Sequence, residues 1–263
     1  MAVNRAAFDA FAIGRKVYTT ASETALLRSR RMFEMAVEID PDYGRAWGYL
    51  GYTYVQWLLN GWSEDEGLIV EARGRANECT RRAVELDPSD YHTHWTRASY
   101  YLYVEKEFEL ALRAYETALA LNDRNQNLIA EMSEALCYAG RHDEALKAIR
   151  RAMRLPDWFH WDLAWVCYFR KDYQGCIRAI ADLWRPETDP KYLNEVRLLH
   201  AAALAQSGGD EATIAALCKT FLANRPDWDL EKELNSVVFK DPADRDHWIE
   251  GVRKAGLPER HPD

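Results

Sequence analysis

The chain has 263 residues, of which 48% are hydrophobic and 29% are charged, and its formal net charge is −8. This composition is typical of a folded globular protein and excludes a largely disordered chain. The negative charge disfavours nucleic acid or an anionic membrane as the main partner. No window of about 18 uninterrupted apolar residues occurs, so no membrane span is predicted.

The cysteines and the N-terminus predict a cytoplasmic protein. Charged residues interrupt any apolar run near Met1, so no signal peptide is expected. The five cysteines include no CxxC pair and match no disulfide framework or zinc site. We expect them to be buried free thiols in a reducing compartment. They are Cys79, Cys137, Cys167, Cys176 and Cys218.

The first third of the chain predicts two helical hairpins. The first hairpin has its first helix near residues 5–19, and its second helix stops at Pro41. The second hairpin begins with the pattern Trp47-x-x-Leu50-Gly51-x-x-Tyr54, and its second helix stops at Pro88. Proline cannot continue a helix, so each of these residues marks a hairpin's end.

The second hairpin is about thirteen residues longer than the usual period. The excess lies within residues 58–71. One interpretation is a longer first helix followed by a surface loop, with Ser63 capping the next helix. The other is a functional insertion, because insertions in repeat proteins collect where partners bind.

The middle of the chain shows a repeated pattern of one large residue between two small ones. It occurs as Ala111, Tyr115 and Ala118, and again as Ala145, Ile149 and Ala152. Residues spaced in this way share one helical face, and the small ones let a partner helix approach closely. The two sets predict the second helices of a third and a fourth hairpin, 34 residues apart. Gly140 is expected to end the preceding helix in the left-handed conformation.

The last third predicts two more hairpins and a terminal helix. The fifth hairpin runs from Trp158 to about Leu183, and the sixth from Asn194 to about Ala223. A helix around Ala243–Ala255, within a cap at about 240–258, is expected to cover the last hairpin with Trp248, Ile249 and Val252. The sequence therefore predicts an all-α fold in one domain over 1–263, a right-handed α-solenoid of about six hairpins.

The period and these patterns make the whole chain resemble a tetratricopeptide-repeat (TPR) protein. Four segments are also similar to the repeat region C-terminal to bacterial class III adenylate/guanylate cyclases. They are 39–47, 60–63, 239–244 and 251–258. This resemblance implies a role in protein interaction or regulation, and no cyclase domain is expected in this sequence.

The first helices of stacked hairpins are expected to line a concave groove. Side chains that do not face the partner helix should face this groove, and many are aromatic, the type that dominates binding hot spots. In the alternative interpretation Trp161 and Trp165 pack on the neighbouring helix. The predicted partner-binding residues are Tyr49, Tyr52, Arg97, Tyr100, Tyr103, Glu131, Glu134, Tyr138, Trp158, Trp161, Asp162, Trp165 and Tyr168.

The candidates for chemistry are few. His92 and His94 lie two residues apart on a predicted helix, so they point in different directions and are poorly placed to share a metal ion. Glu131 and Glu134 could pair for acid–base work, but no nucleophile or cofactor motif accompanies them. We predict no catalytic residue, no metal and no cofactor.

These patterns favour a non-enzymatic scaffold that binds a partner protein or peptide in an aromatic groove. One alternative is an accessory or regulatory subunit of a separate enzyme, cyclase-like or other. A second alternative is a TPR protein that associates with itself as a homo-oligomer. Neither a nucleic acid nor a membrane is an expected partner.

Overall fold

The computed structural model describes residues 3–18, 22–152, 159–184 and 190–261. In these ranges the regular structure is helical, and the only β-type pairing is an isolated bridge between Asp229 and Arg260. No helix in the described ranges is both long enough and apolar enough to cross a membrane. The chain packs as two compact units, Met1–Leu128 (unit 1) and Ile129–Asp263 (unit 2).

Unit 1 consists of three helical hairpins. A π-helical turn, Tyr101–Glu105, extends the first helix of the third hairpin. The helices are α1 (Arg5–Val17), α2 (Glu23–Ile39), α3 (Gly44–Leu59), α4 (Glu66–Leu86), α5 (Tyr91–Tyr100) and α6 (Phe108–Leu121).

Unit 2 adds three further hairpins and two terminal helices. Its helices are α7 (Gln126–Tyr138), most of which belongs to this unit, α8 (His142–Ala152), α9 (Phe159–Phe169), α10 (Tyr173–Ala181), α11 (Pro190–Ser207), α12 (Glu211–Ala223), α13 (Leu230–Ser236) and α14 (Pro242–Lys254). The six predicted hairpins are therefore all present. The single-domain interpretation stays a prediction.

The small–large–small pattern forms the contact between helices, as predicted. Ala111, Tyr115 and Ala118 on α6 are fully buried. The matching residues of α8, Ala145, Ile149 and Ala152, are equally buried. Gly140 has φ of 76° and ends α7, which confirms the left-handed turn.

The predicted extra segment of the second hairpin lengthens both of its helices. It extends α3 to Leu59 and starts α4 at Glu66. The N-cap is Asp65, whose Oδ1 accepts a hydrogen bond from the Leu68 backbone N–H at 3.1 Å. The predicted Ser63 cap is wrong, because the Ser63 hydroxyl accepts from the Asp65 N–H inside the loop.

The C-terminal helix is present, but its packing differs from a simple cap. Helix α14 lies on α11, and its Trp248 ring contacts Trp165 of α9 at a centroid distance of 5.1 Å. At Gly251 an added Cβ would lie 1.8 Å from the Tyr168 Oη atom, so only glycine allows this approach. Therefore α14 covers part of the first helix of the fifth hairpin as well as that of the sixth.

Candidate partner-binding site

Two of the predicted groove residues in unit 1 are buried in its core. Tyr49 is 6% exposed, and its ring lies 5.3 Å from Phe11 and 5.5 Å from Trp95. Tyr100 is 4% exposed, and its hydroxyl donates to a Glu105 carboxylate oxygen. The prediction that these two rings face solvent is wrong, because neighbouring helices pack on both sides of each first helix.

Arg97 is held by contacts within unit 1. Its guanidinium donates to the Asn77 Oδ1 atom at 2.8 Å and to the Thr80 Oγ1 atom at 3.0 Å, both on α4. It also lies over the Tyr101 ring, 4.3 Å from the centroid. Arg97 therefore links α5 to α4 by hydrogen bonds.

The two remaining candidates of unit 1 stay partly accessible. Tyr52 is half-buried and its ring lies 4.6 Å from that of Trp95. Tyr103 is half-buried in the π-helical turn.

Three predicted groove residues of unit 2 are buried. Trp165 and Asp162 are each 6% exposed, and Tyr168 is fully buried. The C-terminal segment accounts for two of them, because Trp248 packs against both Trp165 and Tyr168. The expectation of solvent exposure is therefore wrong for all three residues. Trp158 lies outside the described residues.

The other predicted residues of unit 2 are partly exposed. Trp161 stacks on Trp165, with 5.7 Å between ring centroids and 22° between planes. Tyr138, at the end of α7, meets the Trp165 ring edge-on at 6.4 Å. Glu131 and Glu134 lie on the same helix and are partly buried.

A cavity of about 90 Å³ brings some of these side chains together with residues that the sequence did not suggest. Its walls come from α7, α9, α11, α13 and α14. The lining residues are Tyr138, Trp161, Trp165, Glu195, Leu198, Glu233, Val237 and Trp248. We refer to this space as the ring cavity.

Two carboxylates that line the ring cavity, Glu195 and Glu233, lie close to the Arg225 guanidinium. Arg225 contacts Glu195 at 3.1 Å and Glu233 at 3.8 Å. Burial raises the pKa of Glu233 to about 7, and the nearby Glu195 carboxylate adds to this shift against the opposing effect of Arg225.

A second set of acidic groups lies beside the ring cavity. Burial raises the pKa of Asp162 well above its ordinary value, and Glu134 and Glu131 raise it further. Burial also raises the pKa of Tyr138, again with a contribution from Glu134. The Asp162 Oδ2 atom is buried without a hydrogen-bond partner among the described residues. Burial and the neighbouring glutamates thus favour the neutral forms of Asp162 and Tyr138.

The sequence missed Glu195, Glu233 and Trp248 as members of this site. Glu195 occupies the first helix of the sixth hairpin, so extending the repeat register by one hairpin would have found it. Trp248 was expected to cover the last hairpin only. Glu233 lies on α13, a short helix outside the repeat pattern, and no sequence signal pointed to it.

The histidine pair does not form a site. The His92 Nδ1 atom lies 2.8 Å from the Asp90 carboxylate, whereas the His94 Nε2 atom lies 2.9 Å from the Pro88 carbonyl. Among the described residues, no group of three His, Cys, Asp or Glu side chains could hold a metal ion.

No family model matches the chain, and the search of curated proteins found no similar sequence. Solved structures do resemble it. PilW, a type IV pilus biogenesis factor, has a TM-score of 0.65 at 14% identity, over 85% of this chain and 95% of PilW. TTC0263, a TPR protein of Thermus thermophilus, has a TM-score of 0.59 at 18% identity, over 76% of this chain and 99% of its own.

Pseudomonas aeruginosa PilF is a third such structure, with a TM-score of 0.53 at 21% identity over 79% of this chain and 90% of its own. At these identities the likeness shows the fold alone. The predicted fold class, all-α with TPR-type helical hairpins, is confirmed. The narrower resemblance to cyclase-associated repeats receives no support from these comparisons.

Proposed function

We propose that this chain is a non-enzymatic scaffold that binds a partner protein or peptide, and that unit 2 supplies the binding surface beside the ring cavity. The observation that carries this proposal is the stack of Trp161 on Trp165, in which one indole is partly exposed and the other is buried. TPR-type folds typically act by binding through extended surfaces.

The rigidity of Trp161 supports this role. Its ring rests on Trp165, which is itself fixed by Trp248 and Phe169. A supported indole loses little conformational entropy when a partner covers it, and it offers a large contact area. These properties are typical of a binding hot spot.

Among the predicted groove residues in unit 1, Tyr52 and Tyr103 are the partly exposed aromatic ones. Tyr100 packs with both of them in one hydrophobic cluster. Because Arg97 already binds α4, we assign it a structural role. The proposed contact surface therefore centres on the partly exposed predicted residues of unit 2: Glu131, Glu134, Tyr138 and Trp161.

We further propose that the protein works in the cytoplasm. All five cysteines are free and buried, and they form no disulfide. Burial raises the pKa of the Cys79 thiol to about 12. Free, buried thiols are typical of proteins in a reducing compartment, where disulfides rarely form.

Replacing Trp161 by leucine tests the scaffold proposal. Tagged wild-type protein, Trp161→Leu and the control Trp184→Leu would be used to capture proteins from the native organism, with quantitative mass spectrometry. Trp184 is also a partly exposed indole of unit 2, 37% exposed, but it does not line the ring cavity. We expect Trp161→Leu to lose at least about 90% of a protein that the other two forms recover, since hot-spot losses reach about 2 kcal/mol or more.

Equal recovery by all three forms would contradict the proposed surface. Light scattering across a concentration range separates self-association from binding of a different protein. Growth of the particle mass with concentration, abolished by Trp161→Leu, would make the partner a second copy of this chain.

A further inference from the structure

Helix α2 has apolar side chains on both of its faces. Leu26 and Phe33 pack inward and are fully buried, in keeping with the contacts of α2 with α1 and α3. Leu27, Met35 and Ile39 are 41–42% exposed and lie on the opposite side of the same helix. We refer to this exposed side, with the charged residues between its apolar ones, as the α2 stripe.

The second helices of the other hairpins do not repeat the α2 stripe. Helix α4 exposes Leu68 and Val70 near its start, and α6 exposes Leu121 as its last residue. Helices α8, α10 and α12 expose no large hydrophobic side chain in the described ranges. Single exposed apolar residues are common on protein surfaces, whereas several on one helix face indicate a contact.

The charged residues of the α2 stripe have opposite signs towards its two ends. Arg28 and Arg31 lie towards the N-terminal end, Glu38 lies in the last turn, and all three are exposed. No ion pair joins any of the three to another described residue. The helix dipole disfavours a carboxylate at the negative C-terminal end, so a cation brought beside Glu38 would be favourable.

This order of charges is self-complementary. A twofold axis pairs two copies of α2 in antiparallel orientation, and each contact across the axis occurs twice. With Met35 close to the axis, Arg31 of each copy lies beside Glu38 of the other. Met35 and Ile39 of both copies then pack at the centre, and Leu27 lies at each edge. A partner surface of a single charge sign would match only one end of the α2 stripe.

We propose that the chain forms a homodimer through the α2 stripe, with the two α2 helices antiparallel. This contact goes beyond the proposed function, because it lies in unit 1 and no residue of α2 lines the ring cavity. One helix face per copy makes a small interface, so we expect a weak dimer with a Kd of about 10–100 µM.

Reversing the charges of the α2 stripe tests the pairing in the full chain. Sedimentation equilibrium from about 1 µM to about 1 mM follows the mass between the 30.5 kDa monomer and the dimer. Arg31→Glu places two acidic groups at each contact, and Glu38→Arg places two basic ones. Each variant alone should dimerise at least about tenfold more weakly than wild type. Their 1:1 mixture should recover the wild-type affinity, because opposite charges meet again in the heterodimer.

Matched substitutions on α6 control for general effects of charge. Arg113→Glu and Glu116→Arg change exposed residues of another second helix in unit 1, and each should dimerise as wild type. Met35→Lys should weaken the dimer at least about thirtyfold, as expected for an apolar residue at the centre of an interface. Leu121→Lys, at a similarly exposed apolar position of α6, should leave the dimer unchanged.

A wild-type chain that stays monomeric up to about 1 mM overturns the proposal, as does a dimer that all three α2 variants retain. Two weakened variants that do not recover on mixing overturn the antiparallel pairing, and circular dichroism shows whether both are folded. The scaffold proposal fails separately. Met35→Lys should still recover the protein captured through Trp161, and Trp161→Leu should still dimerise.

Discussion

Two adjacent residues of α9 differ in their exposure to solvent. Trp161 is partly exposed, whereas Asp162 is 6% exposed and lies near Glu131 and Glu134 of α7. Burial penalises the charged form of Asp162, and the two glutamates penalise it again. The ionised form of Asp162 therefore lowers the free energy of unfolding.

Replacing Asp162 by asparagine tests this view through pH. The pKa of Asp162 is raised in the folded state, so the folded protein binds more protons than the unfolded one above the ordinary pKa. Stability of the wild type should therefore fall as pH rises from about 4 towards the raised pKa. Asp162→Asn should remove this fall and stabilise unit 2 by about 1–3 kcal/mol at pH 8.

Thermal unfolding at pH 5 and pH 8 measures this effect. The matched control is Asp246→Asn, an exposed position on α14 of the same unit, which should change stability by less than about 0.5 kcal/mol. A wild-type stability that rises over this pH range, unaffected by Asp162→Asn, would show that Asp162 is not a buried, destabilising carboxylate.

At the scale of elements, the close approach of α3 and α4 defines the second hairpin. A methyl group at Gly51 would lie 2.6 Å from the Thr80 Cγ2 atom and 3.0 Å from the Thr80 backbone nitrogen. The backbones meet here because one of the two residues has no side chain. Gly74 of α4, in contrast, has no atom within 4 Å of an added Cβ.

The two glycines predict opposite results for the same substitution. Gly51→Ala should destabilise unit 1 by about 1–3 kcal/mol, because the helices must separate. Gly74→Ala should stabilise it by about 0.5–1 kcal/mol, since alanine is the better helix former and has open space. Chemical denaturation of the two variants measures both values. Similar effects of the same sign would contradict the packing of α3 on α4.

The hairpins could be predicted because their residue pattern repeats along the chain. The elements that were missed or wrongly capped have no such repeated pattern. Large residues such as Tyr115 and Ile149 recur at a fixed spacing because each hairpin packs on its neighbours in the same way. Helix α13 was not predicted, since it occurs once and has only seven residues. Ser63 was mistaken for a cap because both it and Asp65 are good N-cap residues, and spacing alone does not choose between them.

At the scale of the whole molecule, the chain places three hairpins in each compact unit and adds α13 and α14 to unit 2. The two added helices change the surface of that unit. Trp248 buries Trp165 and Tyr168, and Glu233 brings a carboxylate to the ring cavity. The C-terminal segment therefore shapes the proposed binding surface.

Three of the eight residues that line the ring cavity could be predicted from the sequence. The repeat register placed Tyr138, Trp161 and Trp165 on first helices, and the structure brings all three to one cavity. The register could not show that Trp165 is covered, because covering depends on a segment that returns from the end of the chain. Contacts such as Tyr138 with Lys240, whose N–H donates to the Tyr138 carbonyl at 3.0 Å, join residues far apart in sequence.

Hydrogen exchange of the full chain with and without the purified captured protein tests the central claim most directly. We predict slower backbone exchange in peptides from α7, α9, α11 and α13, which surround the ring cavity, and unchanged exchange in the α1–α2 hairpin. Protection confined to α1 and α2, with the four helices of unit 2 unaffected, would contradict the proposed binding surface.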